Sequence, residues 1–190
     1  MIQTVCVYAA SSSNLAPVYI DAARETGRLL GINGLRLVNG AGSMGLMGVC
    51  SDACLEAGGE VTGVIPQFMK NQGWEHKGLT KLIVTDDMAT RKKTMAQLSD
   101  AVIALPGGCG TLDELTEIIT WKQLGMYLGP VVVMNTEGYY DPLIEMLERA
   151  VDRRFMLPSH AGMWKVTSTP QEAIAFLCSD EAKQEKFSKY

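Results

Sequence analysis

A chain of 190 residues with 47% hydrophobic and 20% charged side chains has the composition of an ordinary globular protein, long enough for one buried core and too short for two comfortable domains. Its formal net charge of −4 argues against nucleic acid as the main partner, because a phosphate backbone calls for a basic face. No apolar run approaches the roughly 20 residues that span a bilayer, and the first strand-like segment starts too early to leave room for a secretory signal.

In chain order, short apolar runs at 4–9, 35–39, 61–65, 81–85, 101–105 and 131–134, with a weaker one at 164–166, predict strands. Helical patterns fall between them at 18–30, 45–57, 88–98, 111–126, 140–153 and 170–177. The strand runs are continuously apolar rather than alternating, as expected where helices cover both faces of a parallel sheet. The prediction is a single doubly wound α/β domain over 1–190, Rossmann-like, with a mostly parallel sheet of about seven strands. The connection 66–78 carries no clear helix, and its Phe68 and Trp74 suggest an ordered lid or a subunit contact. The tail after Leu177 is polar and is expected to fray or to add one exposed helical turn.

Five cysteines, an odd count scattered through apolar segments, point to reduced thiols and a cytoplasmic location. Cys50 and Cys54 share a helix face, but no histidine or third cysteine stands near them to complete a metal site. No metal and no organic cofactor is expected.

In a parallel sheet, ligands bind beyond the carboxyl ends of the strands, so each following turn is a candidate. After the first strand, Ala9-Ala10-Ser11-Ser12-Ser13-Asn14 could wrap a phosphate or ribose through Ser11 and Ser12, or could serve as a helix cap and turn. After the second, Gly40-Ala41-Gly42-Ser43-Met44-Gly45 contains a literal G-x-G-x-x-G, placing Gly42 and Gly45 near a ligand. A dinucleotide needs an acid at the carboxyl end of the next strand, and Glu60 stands at its start, which argues against NAD. After the fourth strand, Met88-Ala89-Thr90-Arg91-Lys92-Lys93 opens a helix. Arg91 there could hold a phosphate or ribose oxygen, although spacing alone favours a surface ion pair.

The most informative turn is Pro106-Gly107-Gly108-Cys109-Gly110-Thr111-Leu112-Asp113-Glu114, between the fifth strand and a long helix. A glycine-rich strand-to-helix turn leaves backbone N–H groups unpaired at the positive end of the helix dipole, a site for phosphate. Thr111 and Glu114 also fit a capping box. Gly107, Gly108 and Gly110 exceed what a cap requires, which favours a ligand approaching the backbone closely.

This motif matches the PGGxGTxxE signature of the Lonely Guy (LOG) proteins, cytokinin riboside 5′-monophosphate phosphoribohydrolases that often carry the label "lysine decarboxylase". The resemblance extends through Gly45-Leu46-Met47-Gly48, Met88 with Arg91-Lys92, Trp121-Lys122-Gln123-Leu124-Gly125, and Asn135-x-x-Gly138-Tyr139-Tyr140-Asp141. It implies hydrolysis of the N-glycosidic bond of a nucleoside 5′-monophosphate, with Arg91 and Glu114 as the catalytic pair and the Gly107–Gly108–Gly110 amides with Thr111 as the phosphate cradle. Asp113 would aid ribose orientation, with Met88 and Lys92 at the same site. It also implies a homodimer. The chain departs from the family at Ala89, where a histidine is common, at Ala41 within a usual glycine run, and at Tyr127 and Gly129, where His and Lys are common. These changes are expected to surround the base pocket, for which His160 and Trp74 are further candidates.

Cleavage of the C–N bond builds positive charge on the ribose, which a carboxylate near C1′ stabilises while it activates water. The helix dipole favours the ionised form of Glu114. Competing readings are a broad AMP or nucleoside-monophosphate nucleosidase, and a non-catalytic carrier or sensor of a phosphorylated ligand. His76-Lys77 resembles the pair of some pyridoxal-phosphate enzymes, but those use a much longer chain.

Overall fold

Strands buried on both faces need apolar side chains at every position, and the runs 101–104 and 131–134 supply them. In the computed structural model, which describes residues 2–184, the strand runs form one sheet of seven parallel strands in the order β4-β3-β2-β1-β5-β6-β7. The strands are β1 (Thr4–Tyr8), β2 (Arg36–Asn39), β3 (Val61–Pro66), β4 (Lys81–Thr85), β5 (Ala101–Ala104), β6 (Val131–Met134) and β7 (Lys165–Thr167). The helices are α1 (Pro17–Ile32), α2 (Gly45–Glu56), α3 (Gln67–Asn71), α4 (Met88–Gln97), α5 (Cys109–Gln123), α6 (Asp141–Asp152), α7 (Pro170–Cys178) and α8 (Asp180–Gln184).

The two-residue period of a strand sends alternate side chains to opposite faces. Val5 and Val7 of β1 join a core with α1, α2 and α7, whereas Cys6 and Tyr8 join one with α4 and α5. The predicted doubly wound architecture is therefore the observed one. Two local differences matter. Helix α5 starts at Cys109, with Gly108 as its N-cap, two residues earlier than the periodicity suggested. The connection 66–78 opens with α3 and then lays Trp74–His76 antiparallel against 41–43, where Ser43 N–H donates to Trp74 O at 3.1 Å and His76 N–H to Ala41 O at 2.8 Å. Hydrogen bonds, rather than a helix, order this strap. The polar tail expected after Leu177 begins with α8, and its remainder, 185–190, lies outside the described residues.

Helices α1 and α2 pack backbone to backbone. A Cβ on Gly27 would stand 2.1 Å from the carbonyl oxygen of Cys50, and one on Gly31 would stand 2.7 Å from that of Cys54. This contact accounts for the shared face of Cys50 and Cys54. Both thiols are buried, and burial pushes the Cys54 thiol up to about 11, so it stays protonated. Among the described residues, no cluster of His, Cys, Asp and Glu could hold a metal ion, and no helix is long and apolar enough to cross a membrane.

Because the atom facing Gly27 is backbone, Gly27→Ala forces the two helices apart. It is expected to destabilise the fold by about 1–3 kcal/mol, as overpacking does, read as a lower denaturant midpoint at an unchanged m-value. An unchanged midpoint would contradict the close contact.

Candidate active site

The strand order runs outward from β1 to β4 on one side and returns to β5 on the other, so the loops after β1 and β5 diverge. Such a switch point leaves a crevice beyond the carboxyl ends of the strands. Ala10 N–H donates to Pro106 O at 3.2 Å, and Met47 N–H donates to Ala10 O at 3.2 Å, joining the loops after β1, β2 and β5. Gly45 has φ +64°, and a Cβ there would lie within 2.6 Å of the Ala10 and Ser12 carbonyls. This glycine is required by the crossing of two backbones.

Along the loop after β5, the glycines divide into two kinds. A Cβ on Gly107 would fall 2.1 Å from Thr111 Oγ1, so the protein itself demands glycine there. A Cβ on Gly108 or Gly110 would meet nothing within 4 Å, and Gly108 has a φ of −83° open to any residue. Neither packing nor backbone conformation accounts for these two. Their effect is to keep the space over the backbone open. Gly108 caps α5 without a side-chain hydrogen bond, and the first turn of the helix offers amides with no intrahelical acceptor. Open space over exposed amides at a helix N-terminus fits a phosphate.

One turn along α5, the Glu114 carboxylate is buried and accepts from Arg91 Nη1 at 3.1 Å. Arg91, reached from α4, also donates through Nε to Val64 O at 3.0 Å and through Nη2 to Gly40 O at 3.3 Å. Its side chain is only 6% exposed, so the surface ion pair that spacing favoured is not formed. Gly40 is dictated by this packing, because a Cβ would lie 1.7 Å from Nη2. The capping-box geometry is also absent: Thr111 lies inside α5 rather than at its start, and Glu114 turns to Arg91. Burial raises the Glu114 carboxyl above its ordinary value; the Arg91 charge opposes the rise and Asp113 adds to it. Burial thus outweighs the helix dipole expected to keep this group acidic. Beneath the pair lie Cys6 and Tyr8, whose ionisation is also resisted by burial and by the Glu114 charge.

The other predicted residues take several positions. Lys92 is turned to α5, where its ammonium pairs with Asp113 at 2.9 Å and Glu117 at 3.2 Å, holding Lys92 above the usual lysine range against the effect of burial. Asp113 is thereby engaged with Lys92. Met88 is exposed in the first turn of α4. Ser11 is exposed, while Ser12 and Gly45 border a hollow of about 230 Å³ with Ser13, Ser43, Met44 and Asp52, apart from Arg91 and Glu114. Gly42 N–H points to Met47 Sδ at 3.1 Å. Trp74 is exposed on the strap, and His160 is buried in a 3-10 turn before β7 with its Nδ1 accepting from Leu157 N–H at 3.2 Å. Tyr127 and Gly129 precede β6 and pack by Asp100, which precedes β5, at the end of the sheet opposite the crevice. The expectation that they surround the base pocket fails, and only Ala89 and Ala41 lie at the carboxyl edge. His76 Nε2 stands 2.7 Å from Asp52 Oδ1 of α2, and Lys77 pairs with Glu75 inside the strap, so both side chains are already engaged.

Sequence reasoning did not assign the carbonyls of Val64 and Gly40, which carry no side-chain signature. It also left Tyr139 without a role, although that residue donates to Gly107 O at 2.6 Å.

Fold and site together define a doubly wound α/β protein with a glycine-lined helix N-terminus and a buried arginine–glutamate pair at its switch point. Residues 47–177 match the family described as possible lysine decarboxylase. The chain is 42% identical over 170 residues to the cytokinin riboside 5′-monophosphate phosphoribohydrolase LOG5 of Arabidopsis thaliana, covering 90% of this chain and 75% of that protein. It is 43% identical over 155 residues to LOG1 of the same plant, covering 82% of this chain and 73% of the relative. The chain belongs to this LOG family. The fold is shared with the Moco carrier protein of Chlamydomonas reinhardtii, at a TM-score of 0.73 and 24% identity over 96% of this chain and 99% of that one.

Arg91→Ala leaves Glu114 buried without its partner and is expected to cost about 3–5 kcal/mol of stability, measured by denaturant unfolding. A loss below 1 kcal/mol would place Arg91 in a solvated setting. The Glu114 carboxyl, observed by carbon NMR and identified by its disappearance in Glu114→Gln, is expected to titrate above the ordinary glutamate value of about 4.3. Titration at or below that value would mean that Arg91 outweighs burial.

Proposed function

We propose that this protein hydrolyses the N-glycosidic bond of a cytokinin riboside 5′-monophosphate, an N6-modified adenosine 5′-monophosphate, releasing free base and ribose 5-phosphate. The observation that carries this reading is the buried Arg91–Glu114 pair directly beside an open amide cradle. A protein that only bound a phosphorylated ligand would need the cradle but no carboxylate next to it. The names of the LOG relatives support the same reaction and the same substrate class.

In the proposed mechanism, the amides of Gly107, Gly108 and Gly110 and the Thr111 hydroxyl take the 5′-phosphate, which serves as a remote handle for placing the ribose. As the bond from C1′ to the base nitrogen breaks, positive charge develops on the sugar, and the ionised Glu114 stabilises it. Glu114 takes a proton from water as the water oxygen bonds to C1′ and the C1′–N bond breaks, and that proton passes through solvent to the departing base nitrogen, which restores the carboxylate. Arg91 is pinned through three hydrogen bonds and fixes the carboxylate, leaving further N–H groups for phosphate or ribose oxygen. Its role therefore combines positioning of Glu114 with the expected clamp. Asp113 retains a ribose contact in this reading only by sharing itself with Lys92.

Assembly as a homodimer belongs to the same proposal, supported by the exposed Leu124, Met126 and Leu128 that follow α5. The net charge of −4 supports a small-molecule partner over nucleic acid, and the free cysteines support a cytoplasmic location. A wider nucleoside-monophosphate preference is favoured by Ala89, two residues before Arg91, which leaves the first turn of α4 without the histidine frequent in the family.

Free-base release from isopentenyl-AMP is expected to exceed release from AMP and to fall by about 10²–10⁴-fold in Glu114→Gln, the usual range for a general base. Equal rates with the two substrates would favour the broad nucleosidase. Tight nucleotide binding without release from either would favour the carrier.

A further inference from the structure

The Asn135–Asp141 segment has a second purpose in the fold besides entering α6. Its Asn135 side chain ties the turn together, accepting from Tyr140 N–H at 2.7 Å and donating to Asp141 Oδ1 at 2.7 Å. Glu137 and Gly138 take left-handed φ values of 54° and 68°, and a Cβ on Gly138 would lie 2.5 Å from Asp141 Oδ2. The turn so held projects two adjacent tyrosines toward the glycine loop. Tyr140 Oη donates to Leu105 O at 2.8 Å and Tyr139 Oη to Gly107 O at 2.6 Å. Between them, Pro106 O accepts from Ala10 N–H at 3.2 Å.

Three successive carbonyls of the loop are therefore tied back to the protein. In a planar trans peptide, the C=O and the following N–H point in opposite directions, so fixing one aims the other. The Leu105 carbonyl precedes Pro106, which has no N–H, and Tyr140 thus aims no donor. The Gly107 carbonyl precedes Gly108, whose N–H belongs to the cradle. Tyr139 alone of the two tyrosines turns a ligand-facing amide.

We propose that Tyr139 is a positioning residue for the substrate's 5′-phosphate, acting through the Gly107 carbonyl to aim the Gly108 N–H into the cradle. This rests on the phosphoribohydrolase reading for its substrate. The ring is held for this purpose edge-on against Tyr19 of α1, with centroids 5.9 Å apart at 74°, and against Tyr140 at 5.0 Å and 83°. The hydroxyl serves the loop, while the ring's packing is independent of it. Tyr139 is 41% exposed, so its phenol lies at the surface rim of the crevice rather than in the core.

Tyr139→Phe keeps the ring stack and removes only the donor. The expected result is a rise of about tenfold in KM for the nucleoside monophosphate, the scale of one charge-assisted hydrogen bond weakened. Turnover should change by less than about threefold, and the preference for the monophosphate over its nucleoside should narrow by the same tenfold factor. A purely structural role would lower Tm and leave that preference intact, and this outcome overturns the proposal. A second measurement needs no variant and no hydrolysis: titration of the wild-type protein with ribose 5-phosphate, followed by amide NMR, is expected to shift the Gly108 N–H strongly. An unresponsive Gly108 amide overturns the proposal. A responsive one in a protein that releases no base from any monophosphate upholds the positioning role and rejects the hydrolase reading instead.

Discussion

Arg91 carries a charge into the interior of the protein, and the groups that compensate it set the geometry of the crevice. A buried guanidinium is costly unless its N–H groups find acceptors. Arg91 finds three, on α5, within β3 and just beyond β2. Each is a constraint on a different part of the chain. Val64 must turn its carbonyl to Arg91 from within β3, Gly40 must lack a side chain, and α4 and α5 must lie side by side. The second clasp, Lys92 on Asp113 and Glu117, joins the same two helices at the surface, where such pairs contribute little by themselves. The carboxylate of Glu114 is consequently locked in a buried setting, where on the proposed reading it would stabilise a developing cation more strongly than in water.

The glycine loop is built on a complementary logic. Its carbonyls face the protein and are all occupied, so its amides are left to face the crevice. The loop needs glycine at Gly107 because Thr111 crowds it from within, whereas Gly108 and Gly110 face open space. Beside it, the Arg91 guanidinium opposes the rise that burial, aided by Asp113, imposes on the Glu114 carboxyl.

The same architecture recurs in proteins named for carrying a molybdenum cofactor, at identities near 24%. A doubly wound sheet with a switch-point crevice supports many ligands, and the fold by itself does not discriminate a carrier from a hydrolase. The distinction rests on side chains. In this chain the pairing of α4 with α5 brings a carboxylate to the cradle, and the 41% to 43% identity to phosphoribohydrolases is consistent with that assignment.

Strand and helix types, the parallel sheet and the glycine-rich strand-to-helix turn were legible in the sequence because each depends on local periodicity or on a short motif. Cys50 and Cys54 were correctly placed on one face for that reason. Tertiary structure decided the rest. Arg91 and Glu114 are 23 residues apart, and spacing could not distinguish a solvated arginine from one held by two backbone carbonyls. Tyr139 and Gly107 are 32 apart, and their contact exists only because β5 and β6 are neighbours. Tyr127 and Gly129 had the opposite fate, since strand direction carries them to the end of the sheet away from the site. Sequence determined which segments form elements and which turn can hold an anion, through short-range propensity. Only the folded sheet decided which side chains meet there, because hydrogen bonds between distant segments depend on strand order and helix packing.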